Sequence, residues 1–332
     1  MMGTRRVVGV VSLGLFVAGP ASADEFETYF AGHVGTGLQY DGAVGAFGTV
    51  LSQAEFDFRG GTGDWFFRVD LDYHFDAYYF ESGLNDGYNL APHYPLPPEW
   101  AVVQWKPSSI YLRAGVTNPD MGIQEWDERD NYLPTYTSGW GMQNAQNLGG
   151  EVGWEFGDGT DLFAWGGWDM AWQVGAFGLG VQTELDFFGT WTGAFYMPAL
   201  QYFGVWTANE IYPATALWLT LELNGGLVGS TPFFGGQVMA NLFPDAVIGG
   251  AVRGEAQLVY PDEVEALLGD LPEYGVSGAL RADLIPLTRL MLEAKESWPG
   301  DGGSPYFTGT LYVSVMWGDP EPYENFDVVD EE

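Results

Sequence analysis

The chain contains no cysteine. That removes disulfides, thiolate nucleophiles, cysteine zinc sites and iron–sulfur clusters together. Bases are nearly as scarce: 11 Lys and Arg stand against 45 Asp and Glu in 332 residues, a formal charge of -34. Phosphate contacts need clustered Lys and Arg to displace counterions, so nucleic acid is excluded as a partner. There are only 3 His, and no G-x-S-x-G elbow, H-E-x-x-H or phosphate-cradling loop, so catalysis is poorly supported. After the amino terminus no apolar run approaches the roughly 20 residues of a membrane helix. What the chain does have is 46% hydrophobic residues, with 48 Gly, 22 Phe, 18 Tyr and 14 Trp, enough for a large ordered structure.

The first residues read as a secretory leader. Arg5 and Arg6 precede an apolar stretch from Val7 to Val17, and Ala21-Ser22-Ala23 offers the small residues of a cleavage site. The expected signal peptide is 1–23, with the mature chain starting at Asp24. Its loss takes two Arg and no acid, leaving a formal charge of -36 on the mature chain, 9 bases against 45 acids.

Beyond the leader, apolar residues recur with a period of two. Phe67, Val69, Leu71, Tyr73, Phe75, Ala77 and Tyr79 share one face, whereas Arg68, Asp70, Asp72, His74 and Asp76 share the other. Such a strand needs hydrophobe on one side and water on the other. The pattern returns in Ile110, Leu112, Ala114 and Val116, in Leu217 through Leu223, and in Leu311 through Trp317. About sixteen segments of this kind, with a range of 14–18, begin near Thr28, Val44, Trp65, Trp100, Ile110, Leu148, Asp161, Val174, Thr190, Leu200, Ala214, Phe233, Val247, Tyr274, Arg289 and Tyr306. The expected fold is all-β, a transmembrane antiparallel up-and-down barrel over 24–317. Even-numbered connections are short, among them Asn209 to Pro213. The longest stretches, Glu81 to Glu99 and Asn118 to Asn147, are odd-numbered. Residues 318–332 carry seven acids and two Pro and read as a solvated tail.

The strand SIYLRAGVT is followed by NPDMGIQEWDERDNYLPTYTSGWGMQNAQN, a long acidic connection in third position on the long-loop side. Here the chain resembles the Gram-negative porin family. The resemblance implies a bacterial outer-membrane address, a setting in outer-membrane lipid and passive diffusion of small hydrophilic solutes or cations. It also implies that 118–147 folds into the barrel as a constriction lined by Asp120, Glu125, Asp127, Glu128 and Asp130. Association of three barrels as a homotrimer accords with the family and is left open by the residues. The continuation past Trp317 and the scarcity of bases are departures from the family.

The few cations are placed with a pattern. Arg68, Lys106, Arg113, Arg253, Arg281, Arg289 and Lys295 fall on the inward phase, with Arg59 beside them. In a closed barrel they occupy one contiguous wall. Facing an acidic loop, that wall would set a transverse field across the pore. The competing reading is lateral ion pairing, Arg68 with Asp70, Arg253 with Glu255 and Arg281 with Asp283. Inward acids Glu151, Glu155, Glu184, Asp186 and Glu222 occupy the cation-free sector. Trp65, Trp100, Trp105, Trp154, Trp168, Trp191, Trp206 and Trp317 suggest interfacial girdles, while inward Trp165, Trp218, Tyr111 and Tyr306 would suit sugar stacking. The acidic loop matches no calcium-loop spacing, and no metal or cofactor is expected. His74 between Asp72 and Asp76 is the only base-like arrangement. Cation bias follows from the net charge. The alternatives are a soluble exported β-protein that binds glycans, for which no blade-like repeat is found, and a barrel hydrolase.

Overall fold

The computed structural model describes residues 27–42, 45–74, 76–78, 89–91, 100–117, 133, 147–157, 159–170, 173–244, 246–257, 272–285, 288–299 and 303–318. The expected leader and nearly all of the acidic tail lie outside the described residues.

Eighteen strand segments follow in chain order: β1 (Glu27–Asp41), β2 (Ala46–Thr62), β3 (Trp65–His74), β4 (Asp76–Tyr78), β5 (Asn89–Ala91), β6 (Trp100–Trp105), β7 (Ile110–Thr117), β8 (Asn147–Phe156), β9 (Thr160–Asp169), β10 (Val174–Leu185), β11 (Phe188–Met197), β12 (Tyr202–Ala214), β13 (Leu217–Val228), β14 (Thr231–Leu242), β15 (Ile248–Gln257), β16 (Pro272–Ile285), β17 (Thr288–Pro299) and β18 (Tyr306–Gly318). All pairings are antiparallel, and β18 returns to β1, from Ala31 opposite Gly318 to Asp41 opposite Thr308. The sheet therefore closes on itself. β3 and β4 lie in line along β2, with β6 and β5 beside them, so the eighteen segments form a sixteen-strand barrel.

Two expected connections are corrected. β5 lies inside 81–99, where it pairs with β4. Asn209 to Pro213 is strand, and the turn falls after Ala214. Asn and Pro read as breakers, yet Asn209 is satisfied on the sheet: its Nδ2 donates to Thr207 at 3.2 Å and its Oδ1 accepts from Thr190 at 3.1 Å. Pro213 sits where the β12–β13 register slips, between Ile211 and Ala214, and so costs no ladder bond.

The two faces differ in chemistry. Most outward positions are apolar and exposed, as in Val34 and Leu38 of β1, Leu219, Leu221 and Leu223 of β13, and Leu311, Val313 and Val315 of β18. Inward positions bury polar and charged side chains, including Glu55, Asp57, Asp70, Glu222, Arg253 and Glu293. That order is inside-out relative to a soluble sandwich and matches a strand wall between hydrocarbon and a polar interior. No helix among the described residues is long and apolar enough to cross a membrane.

Aromatic rings on the inner face lie flat over glycines of the next strand. Tyr111 covers its partner Gly153, where an added Cβ would come within 2.0 Å of the ring, and Phe163 covers Gly180 in the same way, at 2.3 Å. These pairs fill the pleat beside each glycine and pin the register.

Candidate functional site

Every one of the seven expected wall cations is paired with an acid. Arg68 bonds Asp70 and stacks its guanidinium 4.7 Å from the Trp100 ring centroid. Arg113 meets Glu151 at 3.0 Å and lies 4.4 Å from the Tyr111 ring. Lys106 stands just past β6, in the turn, and reaches Glu155 at 2.7 Å. Arg253 lies between Glu255 at 3.3 Å and Glu293 at 3.8 Å, and Lys295 meets Glu255 at 2.6 Å. Asp283 takes both Arg281 at 3.3 Å and Arg289 at 2.8 Å, while Arg281 also donates to the backbone carbonyls of Pro244 and Ala246.

The cations thus lie on β3, β7 and β15 to β17, with Lys106 beside β6, on one continuous wall. Most gather near the short turns: Arg59, Arg68, Lys106, Arg113, Arg281 and Arg289 are all close to the β2–β3, β6–β7 or β16–β17 turn, whereas Arg253 and Lys295 lie farther along their strands. Lateral ion pairing, the competing reading of these residues, is the geometry present. A paired Arg contributes less net field than a bare one, so acids on strands that carry no base weigh more in the interior potential.

Those acids lie on β8 to β13, which carry no Lys or Arg. Glu151 and Glu155 reach back to the cationic wall, but others are held by neutral donors. Asp161 accepts from the Tyr111 hydroxyl at 2.7 Å, and Glu222 accepts from Gln237 at 3.0 Å. Glu210 accepts from Tyr212 at 2.8 Å and Thr220 at 3.2 Å. These donors are neutral, so the bonds themselves bring no compensating charge. Beside them Phe163, Trp165, Phe195, Tyr202, Trp206 and Phe233 form a buried aromatic cluster with Tyr111.

The aromatic assignments divide. Trp65, Trp105, Trp154 and Trp168 are exposed on the outer face, as girdles require, and Trp317 faces outward against Phe56 at 5.6 Å. Trp100 and Trp206 are corrected: both are buried on the inner face, and Trp191 shares the inward phase of Phe195. In β12 both phases are apolar, Tyr202 and Trp206 on one and Phe203 and Val205 on the other, so alternation alone could not tell which face is inner.

One group was not anticipated. Glu55, Asp57 and Asp70 are all buried and each offers an oxygen within 4.8 Å of the others. The β2–β3 register places Asp57 opposite Asp70 and Arg59 opposite Arg68, and His33 Nδ1 lies 3.2 Å from Glu55. Three carboxylates this close are an oxygen-donor set of the kind hard cations use. Arg68 and His33 already stand against two of them. The side chains of Asp72, His74 and Asp76 lie outside the described residues.

Asp120, Glu125, Asp127, Glu128 and Asp130 also lie outside the described residues, but Leu133 of the same connection does not. It is 2% exposed, buried against Met239 of β14, Ala251 of β15 and Ala279 of β16. All three occupy inward positions. The connection leaves β7 and returns to β8, and the strand order puts β14 to β16 about half the barrel's circumference away.

No protein-family model matches the sequence, and no curated protein does. The fold is shared with solved bacterial channels. The outer membrane channel DcaP of Acinetobacter baumannii aligns with a TM-score of 0.57 at 10% identity, over 91% of this chain and 100% of that one. The anion-selective porin from Comamonas acidovorans aligns at 0.61 and 10% identity, and a triple mutant of the Rhodopseudomonas blastica porin at 0.56 and 11%, each over 88% of this chain and 100% of the other. At such identity the likeness is one of architecture.

Proposed function

We propose that this chain is a channel of the bacterial outer membrane, exported by its leader 1–23 and seated in outer-membrane lipid, through which small hydrophilic solutes diffuse passively. The observation that carries the reading is the inversion of the barrel: Leu, Val and Phe outside, ion-paired and hydrogen-bonded side chains inside. A soluble glycan-binding protein would have to hold that apolar outer surface in water. The reading assigns no catalytic residue.

The connection 118–147 is the proposed constriction. Support comes from Leu133, buried on the inner wall opposite the strands that launch it. Asp130 is three residues upstream, so the chain limits it to about 11 Å from Leu133. In this reading Asp127, Glu128 and Asp130 line the narrow section together with Arg253 and Lys295. Selectivity is proposed to favour cations, because β8 to β13 carry acids without bases. One structural neighbour is anion-selective, so architecture does not decide this point.

The test is twofold. Membrane fractionation with heat-modifiable gel migration should place the folded protein in the outer membrane. Planar-bilayer reversal potentials in a salt gradient should carry the sign of cation preference. Recovery of the protein only as a soluble species, without a folded-form shift, contradicts the channel. Anion preference contradicts the selectivity alone.

A further inference from the structure

Apart from Phe233 at the start of β14, which belongs to the aromatic cluster, the described inner wall of β14 to β16 is largely polar around one small apolar patch. Inward positions around that patch include Gln237, Met239 and Asn241 on β14, Gly249, Ala251, Arg253 and Glu255 on β15, and Ser277, Ala279 and Arg281 on β16. Ala251 and Ala279 are direct cross-strand partners, and Met239 pairs with Arg253, next along the same face. Two methyl-sized side chains and a long flexible thioether lie together here, and Leu133 is buried in the same cluster. A leucine side chain there leaves water, whereas in an open polar lumen it would be solvated. Met adapts to an irregular fit. The register also sets Arg253 and Arg281 on either side of the Ala251–Ala279 pair.

We infer that Leu133 is the positioning residue of the constriction: a hydrophobic knob that seats in the Met239, Ala251 and Ala279 socket and holds the connection across the lumen beside Arg253 and Arg281. The inference rests on the channel reading and deepens it. Two consequences distinguish it from a loop held by its charges. The seat is apolar, so raising salt leaves it in place. It also depends on small residues at 251 and 279, so filling the socket acts like removing the knob.

The absence of cysteine provides the test. Leu133→Cys combined with Ala279→Cys, treated with a short thiol-specific cross-linker in folded, membrane-inserted protein, should give an internally linked species at low and high salt. Leu133→Cys with Ala176→Cys, on the inner face of β10, should give none. In bilayers, Leu133→Ser and Ala279→Phe should both shift single-channel conductance upward, toward that of a variant lacking 124–133, while Leu133→Met retains the parent value. Absence of the link with Ala279→Cys in heat-modifiable protein overturns the anchor. So does an unchanged conductance in Leu133→Ser when deletion of 124–133 raises it. If the deletion itself leaves conductance unchanged, the constriction reading fails, and the cross-link alone then decides where Leu133 sits.

Discussion

Asp57 stands directly opposite Asp70 across the β2–β3 ladder, and two residues along the same face Arg59 stands opposite Arg68. Like charges face each other in both pairs, so each pair persists through its partners along the wall. Arg68 serves Asp70, and Asp70 is 0% exposed. Replacing Arg68 with Gln should therefore lower stability, by less than the roughly 3–5 kcal/mol of a buried charge left with no counter-ion, because Arg59 also stands near Asp70. Asp70→Asn in the Arg68→Gln background should recover part of that loss. Urea unfolding of the inserted protein measures both, and equal stability of the single and double variants would contradict the coupling.

Glu210 and Glu222 are buried on strands that carry no base and are held by neutral donors. Changing both to Gln should reduce cation preference while keeping their hydrogen-bond geometry. The difference from the parent should shrink as salt rises, because the screening length falls below about 8 Å beyond physiological ionic strength. Reversal potentials at two salt concentrations give the answer. An unchanged ratio would place selectivity entirely in the constriction.

The seam where β18 meets β1 has little room. A Cβ on Gly32 would come within 2.3 Å of the Glu55 carbonyl oxygen and 2.6 Å of the Trp317 ring. Gly32→Val should impair closure and reduce the heat-modifiable folded fraction. Removing Asp319 to Glu332, which follow the last strand, should leave that fraction as in the parent. Loss of assembly on the tail deletion would assign an insertion role to the tail.

The wall was legible in the sequence to the extent that each strand separates apolar from ionisable residues. Phe67, Val69 and Leu71 against Arg68 and Asp70 identify both strand and face from one segment. The inner face of β12 was not legible, since Trp206 and Val205 are both apolar and periodicity has no sign there. Asp57 and Asp70 were each readable as inward, but their apposition depends on register, which belongs to two strands at once. β5 is three residues long and too short for any period to register. Leu133 lies in a polar connection with no periodicity. Its importance comes from a socket more than a hundred residues later in the chain.

Neutralising the proposed constriction should change flow more than stability. Asp127→Asn with Glu128→Gln and Asp130→Asn should lower cation preference and leave heat-modifiable migration as in the parent. Measured in bilayers beside the Glu210 and Glu222 variant, it apportions selectivity between loop and wall. A preference equal to the parent's would remove these acids from the pore's narrow section.

The proposed channel is a water-filled path through a barrel whose interior is polar. Purified folded protein added to a planar bilayer should produce discrete, ohmic conductance steps, with a reversal potential of the cation-preferring sign in a salt gradient. Protein that inserts, shifts on heating and yet gives no steps at any salt concentration would contradict the account.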